Sequence, residues 1–276
     1  DNMKLARLSH CMTQWWTRGP SSSQVASCSS LADLKHQLRW DDSEDGQDTA
    51  MPWSDRSSIS ILAYGVAVNE IKVVQEILQL HNDRKSSLLA WRFPKEGVVE
   101  VGIPGHSTCL YGAMCFASPD IVTALLDAGA DAETTDVMGT DSVIAACGMG
   151  RLDNIEMWLS RYSRWSINRK NTKFGSSALN IALYMGPRKL DLVKYLVEDH
   201  GASLQITSSA GYTALTLACE NEDADSKVIR YLLQSSVVDV NKTNVAQTLF
   251  WKMLRTISSV VIRSGMPLSK LLKAIT

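Results

Sequence analysis

The sequence predicts an all-α fold, a helical solenoid of stacked helix pairs joined by short β-hairpin loops. Three observations carry that expectation: a segment design that recurs along the chain, a near-constant spacing between the residues that open each copy, and an apolar stripe on every second helix. Self-similarity at a fixed period is the mark of a repeat architecture. Residues 108–131 read TCLYGAMCFASPDIVTALLDAGAD, and 141–159 read DSVIAACGMGRLDNIEMWL. Residues 177–202 read SALNIALYMGPRKLDLVKYLVEDHGA, and 213–233 read TALTLACENEDADSKVIRYLL. Each copy has a capping residue, a short apolar helix, a turn, and a second helix that ends in paired apolar residues.

The opening residues Thr108, Asp141, Ser177 and Thr213 stand 33, 36 and 36 positions apart. An earlier copy opens at Ser60 (SILAYGVAVNEIKVVQEIL), 48 positions before Thr108, and its 15 extra residues fall after Leu80. All five openers are good N-caps, because a short side-chain oxygen accepts a hydrogen bond from a free amide of the first helical turn. Small residues follow four to six places later, at Gly65, Ala113, Ala145 with Ala146, Ala182, and Ala218 with Cys219. They are expected to let neighbouring first helices approach closely. Cys147 and Cys219 share one place in their units and read as packing thiols. The second helices carry apolar residues at i, i+1, i+4 and i+5, as in Ile121, Val122, Leu125 and Leu126, a face made for stacking.

The flanks follow a different pattern. Residues 3–16 place Leu5, Leu8, Met12 and Trp15 on one helical face, and a Ser-rich loop leads to a short helix with Leu31, Leu34 and Leu38. The acidic stretch 41–48 (DDSEDGQD) reads as a linker. After Asn244 a helix pair at 249–254 and 258–264 reads as a worn repeat that caps the stack, and Ser269 opens a further helix. The expected organisation is therefore an N-terminal segment and linker over 1–50, about five repeats over 51–243, and capping helices over 244–276. The first residue is Asp1 rather than methionine, which suggests a piece of a longer protein.

Gly139, Gly175 and Gly211 stand two places before their capping residues, and Gly129-Ala130-Asp131 and Gly201-Ala202 close second helices. With these glycines, the period and the helix starts, residues 57–243 resemble the ankyrin-repeat family. Departures are visible: no unit has the family's His after the Leu, Tyr162 stands where Gly is expected, and Gly105 is one place out. The resemblance implies a non-catalytic protein–protein interaction module, a scaffold that binds a protein partner through a concave face of hairpin tips and first helices. The alternative it allows is a regulatory domain of a larger enzyme or channel, since such repeats are often appended to these. The reading frame on either side of the chain separates the two.

Composition narrows the classes further. With 28 Lys+Arg against 29 Asp+Glu the formal net charge is -1, which argues against nucleic acid as a partner. The longest apolar run, 61–68, is far short of the roughly 20 residues that cross a bilayer, so no membrane insertion is expected. The start lacks the apolar core of a signal peptide. Six scattered cysteines with no CxxC pair suggest a reducing compartment, cytoplasmic or nuclear. No nucleophile elbow, phosphate loop or metal-binding helix is present, and the five histidines lie far apart. Neither enzymatic activity, cofactor nor metal is expected, and the domain is expected to be monomeric.

Candidate contact residues come from the places that vary with the partner in the family: the flanks of the hairpin glycine and the end of the first helix. Here they hold Val137, Met138, Lys173, Phe174 and Tyr212 in the hairpins, and Phe116, Met149, Tyr184 and Met185 at helix ends. Interface cores favour Tyr, Phe and Met. The competing expectation is that the insertion around 88–93, or the N-terminal helix with Trp15 and Trp16, folds into this groove. Charge adds a second candidate. Residues 96–150 contain eight acids and no Lys or Arg; residues 157–190 contain seven Lys or Arg and no acid. Arg164, Arg169 and Lys170 fall in the long hairpin after the third unit, beside Tyr162 and Trp165, where an acidic partner segment is expected to reach them. The plainer alternative is that neighbouring repeats neutralise each other. Last, Leu233 followed by Asp239-Val240-Asn241 resembles the substrate of asparaginyl hydroxylases, with Asn241 as the acceptor, against the plainer reading of a turn Asn.

Overall fold

Among the described residues five helix pairs follow one another, each opened by the residue that the sequence marks. The computed structural model describes residues 29–38, 60–93, 95, 97, 103–186, 190–220 and 226–235. The expectations for 3–16, the acidic linker, Asn241 and the C-terminal helices lie outside these residues. Helix α1 is Leu31–Leu38. The pairs are α2 (Ile61–Val68) with α3 (Ile71–Leu80), α5 (Cys109–Phe116) with α6 (Pro119–Asp127), and α7 (Ser142–Met149) with α8 (Leu152–Arg161). They continue as α9 (Ala178–Tyr184) with α10 (Leu190–Lys194), which runs on into a π-helical turn Tyr195–Asp199, and α11 (Ala214–Glu220) with α12 (Ser226–Gln234). Helix α4 (Lys85–Ala90) and the 3-10 turn Asn82–Arg84 form part of the insertion. No strand forms among the described residues; the hairpins appear as isolated antiparallel bridges, Arg92 with Thr108, Thr135 with Asp141, and Lys170 with Ser177.

The caps act as the residue types dictate. Ser60 Oγ accepts from the Leu62 amide at 3.2 Å, Thr108 Oγ1 from Tyr111 at 3.3 Å, and Ser177 Oγ from Asn180 at 3.4 Å. Thr213 Oγ1 accepts from the Thr216 amide at 3.2 Å while Thr216 Oγ1 accepts from the Thr213 amide at 2.7 Å, so two amides are satisfied reciprocally. Asp141 is buried directly before α7.

The chain divides into two compact units, the first comprising 1–142 and 153–157, the second 143–152 and 158–276. In the first unit α2 packs on α5, α3 on α6, and α1 on α3. Leu62, Val73, Val74, Ile77, Ala113, Met114, Ile121, Val122 and Leu125 are fully buried there. A Cβ on Gly65 would lie 2.7 Å from Ile77 Cδ1, so this bare position seats α2 against its own second helix rather than against the next first helix. Asn69 ends α2 in the left-handed region (φ 59) and its Oδ1 accepts from the Ser118 amide at 2.6 Å, tying the first pair to the second. Buried Asn154 closes the other end of α5: its Nδ2 donates to the carbonyls of Ala117 at 3.0 Å, Met114 at 3.1 Å and Ala113 at 3.4 Å. A helix terminus leaves such carbonyls without partners unless a side chain or water reaches them.

The insertion explains the irregular first interval. The hairpin bridge from Arg92 to Thr108 spans sixteen positions, against six from Thr135 to Asp141, so most of the added chain enlarges the hairpin. Leu88, Leu89 and Phe93 are buried, and Trp91 meets Phe93 edge-on with centroids 4.8 Å apart. Phe93 exchanges backbone hydrogen bonds with Ser107 (N to O, 2.8 Å) and His106 (O from N, 3.1 Å). Its ring lies 3.9 Å from where a Cβ on Gly112 would stand, against the middle of α5.

In the second unit α9 packs on α11 and α10 on α12. A Cβ on Gly148 would lie 2.9 Å from Ile181 Cγ2, and here a small residue does bring neighbouring first helices, α7 and α9, together. Tyr162, where the family places Gly, has φ -114, so no left-handed residue is needed. Its ring packs 5.1 Å from fully buried Trp158, and Trp165 meets Trp158 edge-on at 5.2 Å. Asn168 ties this loop to the next repeat, with Oδ1 accepting from the Ser203 amide at 2.8 Å and Nδ2 donating to the Gly201 carbonyl at 3.1 Å.

The Asn154 contact yields a stability prediction. Asn154→Ala removes a donor that three buried carbonyls at the end of α5 share, of which the Ala113 carbonyl also accepts from the Ala117 amide at 2.8 Å, and losing a buried partner of this kind costs about 1–3 kcal/mol. Urea denaturation should show a loss of that size. A loss within experimental error would mean that water, not Asn154, satisfies the end of α5.

Candidate functional site

The surface is built on the hairpins, and three of those described are built on one short polar side chain each. Asp136 Oδ1 accepts from the amides of Met138 at 2.7 Å and Thr140 at 2.9 Å, while the Asp136 amide donates to the Thr140 carbonyl at 3.1 Å. Asn171 repeats the arrangement: its Oδ1 accepts from Phe174 at 3.2 Å and Ser176 at 3.0 Å, and its amide donates to the Ser176 carbonyl at 3.0 Å. Ser208 does so in reduced form, its Oγ accepting from the Tyr212 amide at 3.2 Å. Gly139, Gly175 and Gly211 then donate to the carbonyls of Asp136, Asn171 and Ser208, with φ of 70, 60 and 80. Only glycine takes that left-handed region freely.

The misplaced Gly105 resolves in the same terms. The left-handed place, two before Thr108, is held by His106 (φ 62), and Gly105 is required for another reason: a Cβ there would fall on the Lys95 carbonyl. Within each unit the hairpins are laced together, Val137 N donating to the Gly105 carbonyl at 3.1 Å in the first and Ser209 N to the Phe174 carbonyl at 2.8 Å in the second. Arg92 reinforces the first, with Nη1 donating to the His106 carbonyl at 2.6 Å and the Thr135 carbonyl at 2.9 Å. Asp136, Asn171 and Ser208 escaped notice in the sequence because Asp, Asn and Ser are ordinary in turns. Their one signal is position, three or four residues before the hairpin glycine.

The candidate contacts sort by exposure. In the first unit Val137 is exposed and Met138 half-buried. Phe116 is a correction: it is 5% exposed at the end of a helix that is buried throughout its length, so it belongs to the core and leaves the contact set. In the second unit Phe174 is 47%, Tyr184 51% and Met185 63% exposed, whereas Met149 and Tyr212 are half-buried. Ile181, Tyr184 and Met185 share a helical face by their spacing. In the sequence α9 stands between the Phe174 hairpin tip and the Tyr184–Met185 end.

The basic side chains do not all stand free. Arg169 lies with its guanidinium 4.5 Å over the Trp165 ring, Arg161 lies 5.9 Å from the Tyr162 ring, and Lys173 Nζ 5.5 Å from the Phe174 ring. Tyr162 and Trp165 are half-buried against Trp158 rather than open to a ligand. Arg164, Lys170 and Lys173 are exposed. In the first unit burial pushes the Asp136 carboxyl above its ordinary value despite the hydrogen bonds it accepts. Burial likewise raises the Tyr111 phenol, which donates to Asp136 Oδ2 at 3.2 Å, well above its usual range. Among the described residues no cluster of His, Cys, Asp and Glu could hold a metal ion, and no helix is long and apolar enough to cross a membrane.

Paired helices, N-capped by Ser or Thr, that alternate with hairpins closed on left-handed residues define an all-α ankyrin-type solenoid. Residues 144–244 match the family model for ankyrin repeats in three copies, so the chain carries ankyrin repeats. Over 104 residues, 38% of this chain, it is 30% identical to ankyrin repeat and SAM domain-containing protein 6 of Rattus norvegicus, and the match spans 11% of that protein. Ankyrin repeats are generally protein–protein interaction modules and typically non-catalytic.

The hairpin geometry predicts opposite outcomes for two substitutions. Asn171 shows that an amide can do the work of a carboxylate, so Asp136→Asn should keep the hairpin. Asp136→Ala strands two buried amides and should cost about 1–3 kcal/mol. The pH dependence has a definite sign. A carboxyl raised in the folded state contributes stability that is full below its unfolded pKa of 3.8 and is lost as pH rises through the folded value. Asp136→Asn should remove that decline from a stability profile between pH 3 and 7. An NMR titration midpoint for Asp136 at or below 3.8 would contradict it.

Proposed function

We propose that the chain is a non-catalytic interaction module, a scaffold that takes a protein partner on the hairpin and first-helix surface of its second unit. One observation carries the reading. Tyr184 and Met185 are more than half exposed at the end of α9, while Cys115 and Phe116, in the equivalent places of α5, are buried. Large apolar side chains cost free energy in water, and a group of them on a folded surface marks a contact site. Phe93 lies on α5 in the first unit, which supports self-coverage there and leaves the second unit as the docking surface. Residues 1–50 and 244–276 serve in this reading as flanking segment and cap. The buried free cysteines Cys109, Cys115, Cys147 and Cys219 fit a cytoplasmic or nuclear protein.

The alternative is a regulatory ankyrin segment of a larger enzyme or channel, in which the same surface takes a ligand from its own polypeptide. What favours keeping it is that the rat relative, by its name, joins ankyrin repeats to another domain, and the match covers 11% of its length.

A partner recovered by proximity labelling and then reconstituted from purified components decides the matter. Tyr184→Ala with Phe174→Ala should weaken it at least about tenfold, as interface anchors do, with the thermal midpoint nearly unchanged. A loss of several degrees, with affinity falling only in proportion to unfolding, would place these side chains in the core and defeat the reading.

A further inference from the structure

The second unit also indicates what kind of segment fits it, an inference that rests on the docking surface just described. We propose that the partner presents a linear acidic peptide that combines an aromatic or aliphatic anchor with a group of carboxylates. The anchor meets Tyr184 and Met185, and the carboxylates meet Lys170 and Lys173 at the hairpin.

Charge complementarity carries the acidic half. Residues 157–190 hold seven Lys or Arg and no acid, so the polypeptide that builds this hairpin and helix brings no counter-charge of its own. Lys170 and Lys173 are exposed, and they flank Asn171, whose buried side chain fixes the turn. The two ammonium groups are therefore mounted on a rigid reversal, and binding loses less freedom than it would on a loose loop. Arg169 is engaged with Trp165 and serves to hold the loop rather than to reach a ligand.

Exposure carries the apolar half. Tyr184 and Met185 offer an aromatic ring and an adaptable thioether at the far end of α9. A nucleic acid would satisfy the lysines but not Met185, and binding driven by phosphates profits from a basic excess that this chain, at net charge -1, lacks.

The test is selection of linear peptides from a random display library on the intact chain, followed by affinity measurements at low and physiological salt. The expected result is enrichment of Asp and Glu together with an aromatic or aliphatic residue. Lys170→Glu with Lys173→Glu should weaken selected peptides about tenfold at low salt, and Tyr184→Ala with Met185→Ala should weaken them regardless of salt. Circular dichroism of each variant confirms that it is folded. Peptides that depend on Tyr184 and Met185 but show no acidic enrichment and ignore the charge reversal would overturn this inference while leaving the docking surface intact. Peptides indifferent to both pairs would overturn both. Failure to select any peptide would overturn a linear ligand in favour of a folded one. Tighter binding of a single-stranded oligonucleotide than of any peptide at physiological salt would assign the lysines to nucleic acid and overturn the proposal.

Discussion

In three hairpins one short polar side chain, Asp136, Asn171 or Ser208, takes up backbone amides that the reversal would otherwise strand. The chain must turn back within six or seven residues and then begin a helix, whose first amides are themselves without intrahelical partners. The polar side chain settles the turn, the left-handed glycine closes it, and in the Asn171 and Ser208 hairpins Ser177 or Thr213, two residues later, settles the helix start. Each device fixes the direction in which the next first helix leaves. Because a single helix pair cannot bury its apolar face alone, that direction decides whether the pair finds its neighbour and the core forms at all.

The same constraint determines what the surface displays. In the second unit the Asn171 turn raises Lys173 and Phe174 at its tip and delivers Ser177 to cap α9, which then ends in the exposed pair Tyr184 and Met185. In the first unit the hairpin before α5 is enlarged, and Phe93 at its start lies against the middle of α5. One repeat design thus yields a first helix with apolar residues in water and another with every residue buried.

Much of this was legible in the sequence because repeats read themselves: the interval between Thr108, Asp141, Ser177 and Thr213 gives the helix starts, and Ser60, Thr108, Ser177 and Thr213 form the expected caps. Gly139, Gly175 and Gly211 announced their left-handed turns. What escaped was whatever depends on contacts between distant residues. Phe116 and Met185 occupy the same place in their units and are alike in apolar character, yet one is core and the other surface. Nothing local to either residue records where Phe93 will pack. His106 shows the other limit: a non-glycine residue held in the left-handed region is set by the enlarged hairpin around it, and no residue-type rule points to it. Asn154, in the stripe of α8, gave no sign that its amide closes the preceding repeat's first helix.

The central claim is an asymmetry: the end of α9 is open and the end of α5 is covered. Hydroxyl-radical footprinting of the free chain reads it directly, because rates of side-chain oxidation follow solvent access. The account predicts fast modification of Phe174, Tyr184 and Met185, and protection of Phe93, Met114 and Phe116. Equal rates at Met185 and Met114, or fast modification of Phe93 and Phe116, would contradict it.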